Sequence, residues 1–408
     1  MSSVKERFLR YVQVDTQSEE NVEQVPSTDK QFDLARILME ELIGMGARDV
    51  KLDAHCYVTA TIPANDGCKD TPVVGLIAHV DTATEITDTN VHPVLTPDYD
   101  GGDIEMGNGY TLSPDQFPCL GNYIGQEIIC TDGTTLLGAD DKAGVAEIMA
   151  LCEQLLAPDA PKHGMIRVCF TPDEEVGNGT KYFDVDGFGA DFAYTIDGGE
   201  VGDVNYENFN AAGGFLTFRG VSIHPGHSKG RMVNALLLAM EYHQMLPVFM
   251  NPMYTEGHEG FFHLSSLNGE VDRAESYYLI RDHDMDKFNE KKRLLKLAAD
   301  FMNGKYGEGT VELTIRDRYF NMKEKVDYRI VQAAVDAMKA CGVEPKIGPI
   351  RGGTDGANLS FMGLPCPNLC TGGRNFHGRY EFITTQAMEK CVEILRTLIC
   401  SFSRGAEA

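Results

Sequence analysis

The stretch Pro72-Val-Val-Gly-Leu-Ile-Ala-His-Val-Asp81 decides the architecture. Its apolar residues run consecutively instead of alternating, which marks a strand buried on both faces, as strands covered by helices on either side are. It ends on an imidazole and a carboxylate, His79 and Asp81. Upstream, Cys56–Ile62 reads as a second strand. Apolar residues at helical spacing (Phe8, Leu9, Val12, then Leu34, Ala35, Leu38, Leu42) predict helices over 3–15 and 28–46. Downstream, Met165–Thr171 and Phe192–Ile196 repeat the buried-strand pattern, with a helix predicted over Lys142–Leu156 before them. Residues 88–130, rich in Gly, Pro and Asp, read as an irregular excursion or a small hairpin. This order predicts an α/β sheet, mixed or parallel, with helices covering it.

The pattern changes near residue 210. Strands are expected at 214–222, 261–268, 276–283 and 310–319, and helices at 230–246 and 286–303, the β-α-β-β-α-β order of a ferredoxin-like sandwich. After Asn321 the α/β style returns, with a helix at 325–341, a short helix after Asp355, a strand at Cys366–Cys370 and a final helix at 384–401. The expected organisation is a discontinuous main domain, 1–209 and 321–408, with an α+β domain at 210–320 inserted into it.

Acids and imidazoles recur where the buried strands end. Asp140 and Asp141 follow Thr134-Thr-Leu-Leu-Gly-Ala, Glu174 and Glu175 follow Ile166-Arg-Val-Cys-Phe-Thr-Pro-Asp, and Asp197 follows Phe192-Ala-Tyr-Thr-Ile. Ligand sites of open α/β sheets lie beyond the carboxyl ends of their strands. Each element alone has a plainer explanation: a hydrogen-bonded core histidine, a helix cap, solvated loop acids, a turn. Together they put carboxylates at one crevice, where they would repel one another and raise their own pKa values unless cations held them. Histidine with several carboxylates suits zinc, or less specifically cobalt or manganese. The pair His258 and His263 is set aside, because five residues turn about 500° around a helix and the two rings would not share a face.

Composition narrows the classes. The formal charge of −25 disfavours nucleic acid and anionic membranes as partners. The 11 cysteines are scattered without a CxxC pair, as free thiols in a reducing compartment are. The opening Met-Ser-Ser-Val-Lys-Glu-Arg-Phe has no apolar signal segment and no run reaches spanning length, so a soluble, cytoplasmic protein is expected. No G-x-G-x-x-G, P-loop or G-x-S-x-G motif supports nucleotide or serine-hydrolase chemistry.

The longer motifs carry a resemblance over nearly the whole chain. They include His79-Val-Asp-Thr, Leu136-Leu-Gly-Ala-Asp-Asp-Lys-Ala-Gly, Phe170-Thr-Pro-Asp-Glu-Glu-Val-Gly, Ile196-Asp-Gly-Gly, His224-Pro-Gly, Arg351-Gly-Gly-Thr-Asp-Gly-Ala and Thr371-Gly-Gly-Arg-Asn-Phe-His-Gly. With these the chain resembles the zinc-dependent aminoacylase/carboxypeptidase/dipeptidase superfamily, in its tripeptide-aminopeptidase branch. The resemblance implies a zinc-exopeptidase-like three-layer α/β/α catalytic domain with an inserted ferredoxin-like lid. It implies two zinc ions per subunit, short peptides as substrates, chiefly tripeptides, and a homodimer paired through the lid. The reaction would be hydrolysis of the N-terminal peptide bond through a metal-bridging hydroxide.

The site residues carry over one by one. His79, Asp140 and Asp197 would hold one zinc, and Asp140, Glu175 and His377 the other, with Asp140 as bridge. Glu174 would be the general base, and Asp81 would orient His79 from behind through its carboxylate. His224 of the lid would reach the reacting carbonyl, while Arg281, Arg351 and Asn358 would hold the substrate's carboxylate or main chain. Arg374 departs from the branch's pattern, where an aromatic residue is expected, and adds a positive charge near His377. An amidohydrolase acting on N-acyl amino acids would use the same metal core, so only the pocket separates the two activities.

Overall fold

A computed structural model describes residues 3–65 and 67–403, which divide into two compact units. The first comprises Met1–Tyr206, Glu324–Gly348 and Thr354–Ala408, and the second Glu207–Lys323 with Pro349–Gly353.

An eight-stranded sheet dominates the first unit, in the order Arg48–Leu52, Val58–Ile62, Ile166–Thr171, Val74–His79, Phe192–Gly198, Asn368–Cys370, Asp203–Asn208, Lys346–Ile350. Val74–His79 runs parallel to both of its neighbours, whereas Arg48–Leu52 with Val58–Ile62 and Asp203–Asn208 with Asn368–Cys370 pair antiparallel, so the sheet is mixed. All six residues of Val74–His79 are buried, because both faces are covered. The helix Ala139–Leu156 packs on Val74–His79 and meets the helices Val4–Tyr11, Gln31–Met45 and Thr385–Ser401, the last of which packs on Tyr328–Ala340. Opposite them, Ile77, Cys169 and Ala193 pack with Phe183, Phe188, Leu359 and Leu364. The result is the expected three-layer α/β/α fold. Gly75 is needed at its position, since a Cβ there would lie 2.7 Å from both Ala193 and the Phe188 ring.

The stretch 88–130 is more ordered than its composition suggests. It holds the hairpin Ile104–Gly107/Tyr110–Leu112, and the strands Pro93–Thr96 and Ile128–Thr131 join Ile383–Thr384 in a three-stranded sheet. Three strands of the main sheet lie where the sequence suggested none: Arg48–Leu52, Asp203–Asn208 and Lys346–Ile350. The first and last are the two edges, where charges, Gly and Pro are tolerated.

In the second unit the strands Asn210–Arg219, Phe261–Gly269, Arg273–Asp282 and Val311–Tyr319 alternate with the helices Ala235–Gln244 and Met285–Tyr306 in β-α-β-β-α-β order. The sheet is antiparallel, and its spatial order puts the first and third strands side by side in the centre, as a ferredoxin-like sandwich requires. Its core includes Phe218, Tyr242, Tyr278, Phe288, Leu295 and Met302. This unit is wider than the expected 210–320, and the chain returns to it at Pro349–Gly353. Arg351 accounts for that return. Its guanidinium donates to the carbonyls of Thr255, Gly257 and Glu259 and lies over the rings of Phe209 and Phe261. Within the described residues, no helix is long and apolar enough to cross a membrane.

Candidate metal centre

Several elements of the first unit deliver polar side chains to one place. His79 is the last residue of a buried strand, Asp197 lies near the end of the neighbouring one, and Glu174 and Glu175 follow the end of Ile166–Thr171. Asp140 opens the helix Ala139–Leu156, where it and Asp141 depart from helical dihedrals after Gly138 in the left-handed region. His377 comes from a loop before the last helix, with φ at +59°, a conformation uncommon for a residue with a side chain and often kept for function.

The distances separate these groups into two sides. His79 Nε2 lies 3.0 Å from Asp140 Oδ1 and 3.6 Å from Asp197 Oδ1. His377 Nε2 lies 3.4 Å from Asp140 Oδ2 and 3.1 Å from Glu175 Oε2. Asp140 therefore turns one oxygen to each histidine. Ligand atoms of His79, Asp140 and Glu175 lie within 4.8 Å of one another, and so do those of His79, Asp141 and Asp197. Asp141 is nevertheless engaged elsewhere, since its oxygens accept the amides of His79 and Gly144 at 3.1 and 3.3 Å.

Charge in this cluster is strained without a cation. Burial, followed by the Asp140 charge, pushes Glu175 up to about 8, and burial pushes Asp197 up to about 6. Burial and then Asp197 push Glu174 well above the carboxylate range. Asp140 is the exception: burial opposes its charge, but hydrogen bonds from His377 and His79 prevail and hold it low. Hydrogen bonds to Asp140 and Glu175 push His377 up to about 12. The buried Oε1 of Glu175 has no hydrogen-bond partner among the described residues. Buried acids that repel one another, with an unpaired oxygen among imidazoles, fit a site built for divalent cations.

Asp81 does more than orient His79. The ring Nδ1 of His79 is 3.0 Å from the Asp81 carbonyl and 3.3 Å from its carboxylate, so main chain and side chain share the role expected of the carboxylate alone. The same carboxylate accepts the amides of Glu174 and Glu175 at 3.0 and 3.2 Å, fixing the backbone of the acidic pair. The Glu174 carboxyl itself makes no hydrogen bond among the described residues, which leaves it free to exchange a proton.

The remaining sequence candidates are placed as follows. Asn358 is half-buried in the helix Asp355–Phe361 of the first unit. His224, Arg281 and Arg351 belong to the second unit. His224 is exposed, and its Nδ1 accepts the Gly226 amide at 3.1 Å, which leaves Nε2 as the donor of a neutral ring. Arg281 donates to the carbonyls of Ala212 and Ile280 and lies over the Tyr319 ring. Arg374 is not a free charge: it pairs with Glu200 and donates to the Tyr123 hydroxyl at 3.2 Å. His263 lies on the strand Phe261–Gly269 and His258 precedes it at 3.1 Å from Glu207, so no helical pair exists there. Among the buried acids to which sequence reading gave no role are Asp355 beside Thr171 and Glu381 beside Asp140, because single acids in mixed segments carry no pattern.

Known proteins bear on this geometry. The pattern of peptidase family M20/M25/M40 matches residues 137–401. The chain belongs to this family. It is 53% identical to the peptidase T of Alkaliphilus oremlandii over 409 residues, covering 99% of this chain and 100% of the relative, and it stands with the peptidase T branch of the M20 peptidases. Among solved structures, the aminopeptidase PepT of Bacillus cereus superposes with a TM-score of 0.78 at 22% identity, covering 98% of each chain. A tripeptidase of Staphylococcus aureus gives 0.79 at 21%, again over 98% of each chain. A dinuclear metal-binding M20 peptidase of Bacillus subtilis gives 0.66 at 13%, over 98% of this chain and 97% of that one. At these identities the superpositions establish the M20 fold.

Proposed function

We propose that the chain is a tripeptide aminopeptidase, which hydrolyses the N-terminal peptide bond of a tripeptide and releases one amino acid and a dipeptide. The observation that carries the reading is the divided carboxylate of Asp140, one oxygen toward His79 and the other toward His377. That division supports two cations sharing Asp140, with His79 and Asp197 on one side and Glu175 and His377 on the other. The nitrogen and oxygen donor set favours zinc. The peptidase T relative and the tripeptidase superposition support the substrate, and the dinuclear M20 structure supports the count of two.

Bound there, such ions would acidify a water molecule and polarise the scissile carbonyl. The residues supply the rest. Glu174, poised by burial to hold a proton, takes one from the attacking water on a carboxylate oxygen and passes it to the departing amine nitrogen. Asp81 keeps the backbone of Glu174 and Glu175 in place during that exchange. His224 donates from Nε2 to the carbonyl oxygen as charge develops on it. Arg281 and Asn358 hold the substrate's carboxylate or main chain. Arg351 is proposed for the same task by resemblance, yet its donors are spent on the turn 255–259, so a bracing role has the better support.

We carry forward from the resemblance a cytoplasmic location and a dimer paired through the second unit. The exposed Val248, Phe249, Met253 and Tyr254 of that unit support the pairing. The test of function compares zinc-loaded and chelator-stripped protein on a free tripeptide, its N-acetylated form and an N-acyl amino acid. Cleavage of the free tripeptide alone, dependent on metal, is expected. Cleavage of only the acylated compounds would replace this reading with an amidohydrolase.

A further inference from the structure

Residues Arg374–Phe382 form a loop closed at its base by a mutual pair of backbone hydrogen bonds between Arg374 and Phe382, at 2.9 and 3.0 Å. His377 sits at its turn and Glu381 at its end. The Glu381 amide donates to the Gly378 carbonyl at 3.2 Å, and Arg379 donates to the Gly133 carbonyl at 3.1 Å, so the loop is tied internally and to the segment before Asp140. The Glu381 side chain is 1% exposed. Its Oε2 accepts the amides of Leu137 and Gly138, both at 2.8 Å, and its Oε1 accepts the amide of Asp140 at 3.0 Å.

Those three amides need an outside acceptor. Gly138, which precedes the helix Ala139–Leu156, has no side chain to cap it, so Asp140 in the first turn, like Leu137 and Gly138 before it, finds its acceptor elsewhere. The first amides of a helix have no partner within it, and a buried amide left unpaired costs about 1–3 kcal/mol. A carboxylate at that end also meets the positive end of the helix dipole. A carboxylate, whose two oxygens offer about four acceptor positions, suits three donors at once.

We propose that Glu381 is the positioning residue that fixes Asp140 relative to His377, and that it thereby sets the affinity of the cation those two share. This rests on the reading of Asp140 and His377 as ligands. One short loop carries both His377 and the acid that grips the Asp140 backbone, so the two ligands are registered through Glu381 and not independently. Outer groups that orient a ligand typically alter metal affinity by about 10–100-fold when replaced.

The test uses the full chain. Glu381→Gln keeps the size but presents an NH2 group to at least one amide that had an acceptor. Zinc binding is measured by competition with a chromophoric chelator on wild type, Glu381→Gln, His377→Ala and Asp140→Asn, beside the melting temperature of the metal-free proteins. Glu381→Gln should weaken one of the two zinc equivalents by about 10–100-fold, with kcat falling more than KM. Adding it to His377→Ala should weaken binding little further, because both act on one site. Glu381→Asp, which keeps the charge but is shorter, should lie between. A folded Glu381→Gln or Glu381→Asp protein with wild-type zinc affinity overturns the proposal, and so does failure of both to fold, which would make Glu381 a folding determinant only. Unchanged binding in Asp140→Asn and His377→Ala would instead overturn the ligand reading beneath it.

Discussion

In Val74–His79 every residue is buried and the reactive groups wait at the strand's end, whereas in Phe261–Gly269 of the second unit only Phe262 is buried and the other residues are half-buried or exposed. The first strand lies between two parallel neighbours with packing above and below it. The second is the edge of an antiparallel sheet. A doubly covered sheet has no room for charge along its length, so its polar residues collect where the strands run out, and several ends lie together. A sheet open on one side spreads its polar residues over a surface. The difference explains why the first unit gathers carboxylates and imidazoles into one tight cluster, while His224, Arg281 and Arg351 stand on separate elements of the second.

Three experiments press on that contrast. The largest effect is expected at the gathered site: Glu174→Ala should retain zinc, measured by elemental analysis, yet lose about 10²–10⁴-fold in kcat. Normal turnover would remove the proton carrier from the reaction. At the dispersed side, His224→Ala should fold, bind zinc and lose about 10²-fold in kcat, the usual cost of one donor to a developing oxyanion. An unchanged kcat would leave the second unit without a chemical role at that residue. The smallest effects are on stability. Leu76→Ala, in the covered strand, should cost about 2–5 kcal/mol in urea unfolding, whereas Thr314→Ala, exposed on Val311–Tyr319, should stay within about 0.5 kcal/mol. Equal losses would mean that the two sheets are not as differently covered as their burial implies.

What could be read in advance follows the same division. Continuous apolar runs located the central strands, and the strand-end rule located His79, Asp140, Glu174, Glu175 and Asp197 without any relative. His377 had no such signal, because it lies on a loop held by packing, and only the resemblance pointed to it. The edge strands Arg48–Leu52 and Lys346–Ile350 were invisible because solvent tolerates their charges and Pro349. Asp203–Asn208, also polar in sequence, pairs with Asn368–Cys370 from far along the chain, a partner no local pattern announces. Glu381 was hidden for the same reason, as its partners lie more than two hundred residues earlier. Arg351 is a substrate ligand by resemblance only, and no local pattern announces that its guanidinium donates to the carbonyls of Gly257 and Thr255.

The place of Asn368–Cys370 has a consequence for how the protein is made. This strand sits inside the main sheet, parallel to Phe192–Gly198 on one side and antiparallel to Asp203–Asn208 on the other. A chain leaving the ribosome therefore completes the whole second unit before the slot in its first sheet can be filled. Until then the flanking strands show open edges, the feature that invites pairing with the wrong chain. His79, Asp140, Glu175 and Asp197 have all emerged by that stage, but His377 has not. The slot and the acidic cluster that His377 joins are therefore completed by neighbouring stretches of the chain, after the second unit.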